Sequence, residues 1–404
     1  MSDSLQNQNI ICFAGEDWWF HNPHSNLHLM ESFAGQNNRV LFVNSTGIKM
    51  PDFKADRFFW KRVGNKLKSF LRYLKKAGPN IYVFTPFAFP LMNKGASVIA
   101  AVNKVLLILQ LRAVIFILKL DRPIIWVTVP VARDIALYLK KTVGRCLVYY
   151  CVDNVSHFPG VNREYILNLE KDIQSQAELS LFVNRQLAEE RKDFGKNIRL
   201  LSHGVDYAHF ARAQQGGLPV PDDIKNLPRP IIGYIGEIKP LDFELVRYLA
   251  GRHPGFSFVF IGDIYAELGG LRLPANVHFL GKKPYAALPN YLQLFDCCCL
   301  YYKVDDTFNN YRNPKKLMEY LATGKPVVSV TILQISEFRD CLHIAGSYEE
   351  FDVLLSRALR EDSAQQKEQR IRLARAHTWD AVAAEAGGMI GEILRQNENG
   401  SPLK

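Results

Sequence analysis

Chemistry is most legible in the stretch Asn313–Val328, NPKKLMEYLATGKPVV. Asn313 suits a helix N-cap and Pro314 the first helical position, while Gly324 fits just past the end and Pro326 forbids continuation. Val327, Val328 and Val330 then supply the β-branched run of a strand. Lys315 and Lys316 fall in the first turn, where the helix dipole disfavours a cation by a few tenths to about 1 kcal/mol. An anion resting on the free N–H groups and a lysine together would remove that conflict. Lys316 and Glu319 are three residues apart and share a face. A lysine near the helix tip and a carboxylate one turn deeper suit a diphosphate followed by a ribose diol. The alternative is a surface helix carrying a solvated Lys/Glu pair.

A second set of candidates follows apolar strands nearer the N-terminus. Asp153 comes directly after Leu147–Val152, at the end where open α/β sheets place their ligands. It could take a proton from a substrate hydroxyl, or cap the segment that follows. Gly15, Glu16 and Asp17 follow the strand Ile10–Ala14, and His21, His24 and Asp17 line that strand–helix loop and could also serve as the base. That loop is not a G-x-G-x-x-G turn, so it implies no dinucleotide.

These residues need elements to hold them, and the apolar runs supply them. Strand signals recur at Val40–Asn44, Ile81–Thr85, Ile124–Val129, Leu147–Val152, Leu179–Asn184 and Ile198–Leu201. Helical patterns alternate with them, at Ser25–Ala34, Val131–Lys141, Arg163–Gln176 and Gln186–Asp193. Such alternation predicts a parallel sheet covered on both faces. Asp206–Pro230, rich in Gly, Pro and polar residues, reads as a linker. The pattern restarts at Ile231–Ile235 and continues through Phe256–Ile261, Val277–Leu280, Cys297–Tyr302 and Val327–Val330. The domain reading is therefore 1–206, a linker 207–230, a second α/β domain 231–376, and a helical tail 377–404.

Composition bounds the function. A chain of 404 residues with 48% hydrophobic and 22% charged residues fits two folded domains. Its net charge of +10 favours anionic partners such as nucleotide phosphates and acidic lipids. The seven cysteines form no C-x-x-C pair, and Cys297, Cys298 and Cys299 read as a buried strand. A reducing compartment is expected, and MSDSLQNQN has no signal-peptide character. Asn103, Lys104, Gln110 and Arg112 interrupt the apolar run Ala96–Leu118, which reads as a long buried or interfacial helix rather than a span. Lys54–Lys76 carries nine basic residues and one acid, with Phe58, Phe59, Trp60, Val63, Leu67, Phe70, Leu71 and Leu74 at near-helical spacing. It predicts a basic amphipathic helix at an anionic membrane surface, or else a solvated helix packed on its own domain. No nucleic-acid motif accompanies it.

The helix phrase N-P-x-K-x-x-E-Y-L-A-x-G-K-P-V-V, between two doubly wound patterns, resembles that of GT-B glycosyltransferases of the large family 4 group. Within that group the chain is similar to bacterial enzymes that build teichuronic-acid-like and other surface polysaccharides. The strand ending at Gly15–Trp19 agrees, as do YYCVD (Tyr149–Asp153), FPGV (Phe158–Val161), SHGVD (Ser202–Asp206), IGYIGEI (Ile232–Ile238) and VHFLGKKP (Val277–Pro284). The resemblance implies an α/β GT-B fold of two doubly wound Rossmann-like domains facing across a cleft. It implies a nucleotide-sugar donor, UDP- or GDP-linked, on the C-terminal domain and a glycan or lipid-linked acceptor on the N-terminal one. The last helix is expected to return to the first domain.

Carried over residue by residue, Glu319 matches the glutamate that holds the donor ribose and Lys316 a basic residue near the diphosphate. Gly236 sits where the first C-terminal strand turns toward the phosphates, and Asn313 and Leu317 complete the donor set. The chain also departs from the pattern. A second glutamate usual eight positions before the ribose one is Tyr311 here. Glu237 replaces an arginine, and His203 an asparagine. Lys239, Lys316 and Arg312 are the candidates to restore positive charge. Asp305–Asp306 lacks D-x-D spacing, so no metal is expected. The resemblance favours retention of anomeric configuration, whereas an essential base would favour inversion. Hexosyl transfer at the inner face of the plasma membrane is the reading; a sugar-nucleotide epimerase and a non-catalytic scaffold of the same fold are the alternatives.

Overall fold

Runs of β-branched and aromatic residues become strands buried on both faces, the pattern expected of parallel sheets covered by helices. The computed structural model describes residues 5–20, 23–45, 72–89, 96–158, 160–263, 272–304 and 315–398, with Gly64 and Lys68 singly. One sheet contains β1 (Asn9–Phe13), β2 (Arg39–Val43), β3 (Leu74–Gly78), β4 (Ile81–Phe84), β5 (Ile124–Val127), β6 (Cys146–Cys151), β7 (Leu179–Phe182) and β8 (Ile198–Leu200). Its order is β3-β4-β2-β1-β5-β6-β7-β8. All pairs are parallel except β3 with β4, so the order reverses between β1 and β5. A crevice at the C-terminal ends of the strands is where such sheets take ligands.

The second sheet contains β9 (Ile231–Ile235), β10 (Ser257–Ile261), β11 (Val277–Phe279), β12 (Cys297–Leu300), β13 (Val327–Val330) and β14 (His343–Ala345), all parallel. Its order is β11-β10-β9-β12-β13-β14, reversing between β9 and β12. The chain divides accordingly into two compact units, Met1–Ser202 with Val382–Lys404, and His203–Ala381. Ala383, Ala386 and Ile390 of the last helix, Trp379–Glu398, are buried within the first unit. Gly387 faces Leu5 there, so closely that a Cβ would stand 2.9 Å from the Leu5 Cβ.

Two expectations change. The segment Asp206–Pro230 is not a linker: Asp206 caps the helix Tyr207–Ala211, and Phe210, Ala213 and Ile224 are buried in the second unit. Its glycines and prolines shape a packed segment rather than a free one. The end of Lys54–Lys76 is not helical. Leu74 pairs with Phe84 and Lys75 with Val83, because β4 offers an open edge that outweighs helical spacing. Apart from helical Gly64 and Lys68, residues 54–71 lie outside the described residues. The helix Ala96–Ile117 is long and apolar enough to cross a membrane by length and composition, and most of that stretch is exposed. Leu111 and Val114 pack inward, while Val98, Val102, Val105, Leu109 and Phe116 stand exposed.

Beneath the end of β6 lies a buried polar network. Arg191 donates from Nε to Glu170 Oε2 at 3.1 Å, and from Nη2 to Asn154 Oδ1 at 2.7 Å. Tyr149 completes the set, donating its hydroxyl to Glu170 Oε1 at 3.1 Å. Ser156 Oγ adds a bond to Asn154 Oδ1 at 2.8 Å, so the turn Val155–His157 is fixed from below. Burial pushes the Glu170 carboxyl above the usual carboxylate range, and the Arg191 charge offsets only part of this. Removing one partner should therefore cost more than removing both. Arg191→Met is expected to destabilise the first unit by about 3–5 kcal/mol, with Glu170→Leu added to it recovering most of the loss. Urea unfolding followed by circular dichroism measures both, and a loss below about 1 kcal/mol for the single variant would remove the network from any positioning role.

Candidate active site

The helix Lys315–Ala322 meets the end of β9 through residues without side-chain bulk. Gly236 has φ +144°, a conformation that disfavours side chains, and a Cβ there would fall 1.6 Å from Lys316 Cε. The lysine side chain thus lies across the bare glycine. Its Nζ stands 5.8 Å from the centre of the Tyr234 ring. Gly262, at the end of β10, passes so near that a Cβ would meet the Gly236 carbonyl at 1.8 Å. Tyr320 locks the helix in place, its hydroxyl accepting from the Ile235 N–H at 2.8 Å.

Glu319 lies one turn deeper and is 8% exposed. Its carboxylate pairs with Lys315 Nζ at 3.6 Å, not with Lys316. The two neighbouring lysines therefore divide their work: Lys316 turns to the glycine and Lys315 to the glutamate. His203 is held neutral, burial pushing its pKa down to about 3 with the Lys315 charge adding to the effect. Lys239 is exposed on the loop past Gly236. Leu317 is 1% exposed and packs into the core, so its side chain does not reach a ligand. Arg312 and Asn313, with Tyr311, lie outside the described residues. Lys315, Tyr320 and Gly262 were not among the candidates read from the sequence. The doubled lysine was a usable signal for the first; nothing local marks the other two.

In the first unit the loop after β1 is held at every step. Gly15 has φ +72°, and a Cβ would stand 2.4 Å from Val129 Cγ1, so the segment that follows β5 comes close there. Glu16 accepts from Asn26 Nδ2 at 3.3 Å, and its carbonyl takes the Ser45 N–H at 2.9 Å. Asp17 accepts the Trp19 N–H at 3.0 Å. All three are thus holders of the loop. His24 precedes the helix Ser25–Gly35 and is exposed, without a side-chain capping bond. His21 lies outside the described residues. Asp153 is exposed at the end of β6. Its carbonyl accepts from the Val155 N–H at 3.0 Å, but the cap position of the following turn belongs to Asn154. The buried Arg191–Glu170 network below it was missed, because neither residue stands in a motif.

No family model matches the chain. The chain is 28% identical over 200 residues to a putative teichuronic acid biosynthesis glycosyltransferase of Bacillus subtilis (strain 168), a match covering 46% of this chain and 49% of that protein. It thus spans about half the length of that curated relative. Among solved structures, sucrose-phosphate synthase from Thermosynechococcus elongatus is 16% identical at a TM-score of 0.67, over 98% of this chain and 100% of that one. Anabaena HepE in complex with UDP and glucose is 16% identical at a TM-score of 0.61, over 96% of this chain and 100% of that one. The trehalose 6-phosphate synthase of Burkholderia multivorans is 13% identical at a TM-score of 0.63, over 98% of this chain and 99% of that one. These likenesses run through both units, and the chain has the GT-B fold.

Proposed function

We propose that the protein is a glycosyltransferase that moves a sugar from a nucleoside-diphosphate sugar to a glycan or lipid-linked acceptor in surface-polysaccharide synthesis. The observation that carries this reading is Lys316 lying across Gly236 at the end of β9, with Glu319 one turn deeper. A diphosphate at the start of the helix would meet free N–H groups and a lysine, and the ribose diol would reach the carboxylate. The comparison with HepE, solved with UDP and glucose, supports the same donor class. Nucleoside-diphosphate release from a panel of UDP- and GDP-sugars, with and without membrane extract, tests the whole reading.

The reaction breaks the bond between the anomeric carbon and the diphosphate, whose oxygen keeps the electron pair. Lys316 and the helix N-terminus stabilise that charge. The acceptor oxygen bonds to the anomeric carbon and gives up its proton. In an inverting displacement Asp153 takes it; in a retaining one the leaving diphosphate does. Asp153 belongs to the first unit and the donor residues to the second, as an acceptor side and a donor side require. We place the enzyme in the cytoplasm at the inner membrane face, supported by the exposed apolar stripe Val98, Val102, Val105, Leu109 and Phe116. This spacing of four and three keeps the stripe on one helix face.

Three outcomes are expected. Glu319→Ala should weaken uridine diphosphate binding by about 1.5–3 kcal/mol without unfolding the second unit; calorimetric titration measures it, and unchanged affinity removes the ribose assignment. Asp153→Asn should spare donor binding and lower turnover about 100-fold, while full turnover would point to the retaining route. Sedimentation with anionic vesicles should show binding that weakens with salt but does not vanish. Each surface lysine or arginine contributes about 1 kcal/mol, screened over about 8 Å, whereas the apolar contribution persists. Leu109→Glu with Phe116→Glu should remove the salt-resistant part, and a wild-type protein that ignores such vesicles at low salt would defeat the membrane placement.

A further inference from the structure

The loop after β1 ends in an aromatic run, Trp18, Trp19 and Phe20, that the holding bonds above do not explain. Trp18 packs edge-on against Phe42 of β2, with ring centres 5.0 Å apart, and takes an N–H bond to Asn44 Oδ1 at 2.9 Å. Trp19 and Phe20 instead receive cations from another part of the sheet. The Arg72 guanidinium carbon lies 4.8 Å from the centre of the Trp19 ring and 5.5 Å from that of Phe20. Lys75 Nζ lies 5.6 Å from the Trp19 ring centre. These cations arrive because β3 runs antiparallel to β4: the Thr85 N–H bonds to the Tyr73 carbonyl at 2.8 Å, so the start of β3 sits at the ligand-bearing edge of the sheet.

Among the described residues neither Arg72 nor Lys75 has a carboxylate within ion-pair distance. Of the acids of the loop, Glu16 accepts from Asn26 Nδ2 and Asp17 from the Trp19 N–H. Two cations fixed on aromatic faces keep most of their hydrogen-bond donors for another ligand, since the ring faces attract charge without accepting their full set of bonds.

Resting on the reading of the first unit as the acceptor side, we infer that Trp19, Phe20, Arg72 and Lys75 form an acceptor subsite for an anionic group, phosphate or carboxylate, attached to a sugar or lipid. The sheet order gives its place along the acceptor. From β3, which carries Lys75 and follows Arg72, to β6, before Asp153, is five strand spacings, about 24 Å. The recognised charge therefore lies several bonds from the hydroxyl that reacts. It selects the acceptor rather than taking part in the chemistry.

Binding without donor is the direct test, because it does not depend on turnover. Geranyl diphosphate, a glucuronic-acid trisaccharide and neutral maltotriose would each be titrated into the full chain, followed by tryptophan fluorescence. At least one anionic probe should bind, and Arg72→Gln with Lys75→Gln should weaken it tenfold or more, with Arg72→Lys recovering part of the loss. Which anionic probe responds identifies phosphate or carboxylate as the group. Affinity for that probe should fall steeply with salt, which a packing role would not produce. An equal loss for maltotriose, or no binding of either anionic probe, would overturn the subsite. Binding lost in the pair variant while Asp153→Asn retains it would separate this inference from the proton-transfer reading. If neither anionic probe binds yet sugar transfer is measured, the subsite fails and the transferase reading survives.

Discussion

The close approach of a helix to a strand end, possible only where the side chain is absent, governs the second unit. At Gly233 a Cβ would fall 1.9 Å from the Phe295 ring, at Gly236 1.6 Å from Lys316, and at Gly262 1.8 Å from a backbone carbonyl. All three glycines lie in or just after the strands around β9, where the sheet order reverses. Each missing Cβ lets another group move in: a core ring, a lysine stem or a neighbouring backbone. The Gly236 and Gly262 N–H groups stay bonded to the Ile261 and Gly281 carbonyls, so the strand ends remain tied to the sheet while the helix approaches. Tyr320 then sets the helix at a fixed distance by one bond to the strand.

The first unit solves its positioning differently. There the turn after β6 is held by a charged pair with both members almost wholly buried, Arg191 at 2% and Glu170 at 0% exposure. A pair of this kind adds little net stability over an apolar one, but it has only one arrangement that satisfies all its bonds. Around it Tyr149 donates to the carboxylate, Asn154 accepts from the guanidinium, and Ser156 bonds to Asn154. The loop that carries Asp153 is therefore specified more than it is stabilised.

Much of this was legible in the sequence, because parallel strands buried on both faces write themselves as apolar runs. Most strands of both sheets, and the helix bearing Lys316 and Glu319, follow from period and punctuation alone. What was not legible depended on partners distant in the chain. Leu74–Lys76 has helical spacing, yet an open strand edge decides its state. Asp206–Pro230 has linker composition, yet Phe210 and Ile224 find a core. At the site, residue types marked Lys316, Glu319 and Asp153, whereas the pairing of Glu319 with Lys315 is a matter of side-chain direction. Spacing of three or four permits either lysine. Only the bare glycine opposite Lys316 chooses between them.

An eight-stranded sheet must end somewhere, and an unpaired edge is an invitation to fibre formation. Among the described residues one end is β3, with Lys75 and Lys76 exposed, and the other is β8, with Arg199 exposed beside Leu200. Like charges on both borders repel a second copy that would extend the ladder by edge pairing. The antiparallel turn that brings Lys75 to Trp19 thus also closes the sheet against self-association. Replacing Lys75 or Arg199 by an apolar residue would leave the fold intact and weaken that repulsion.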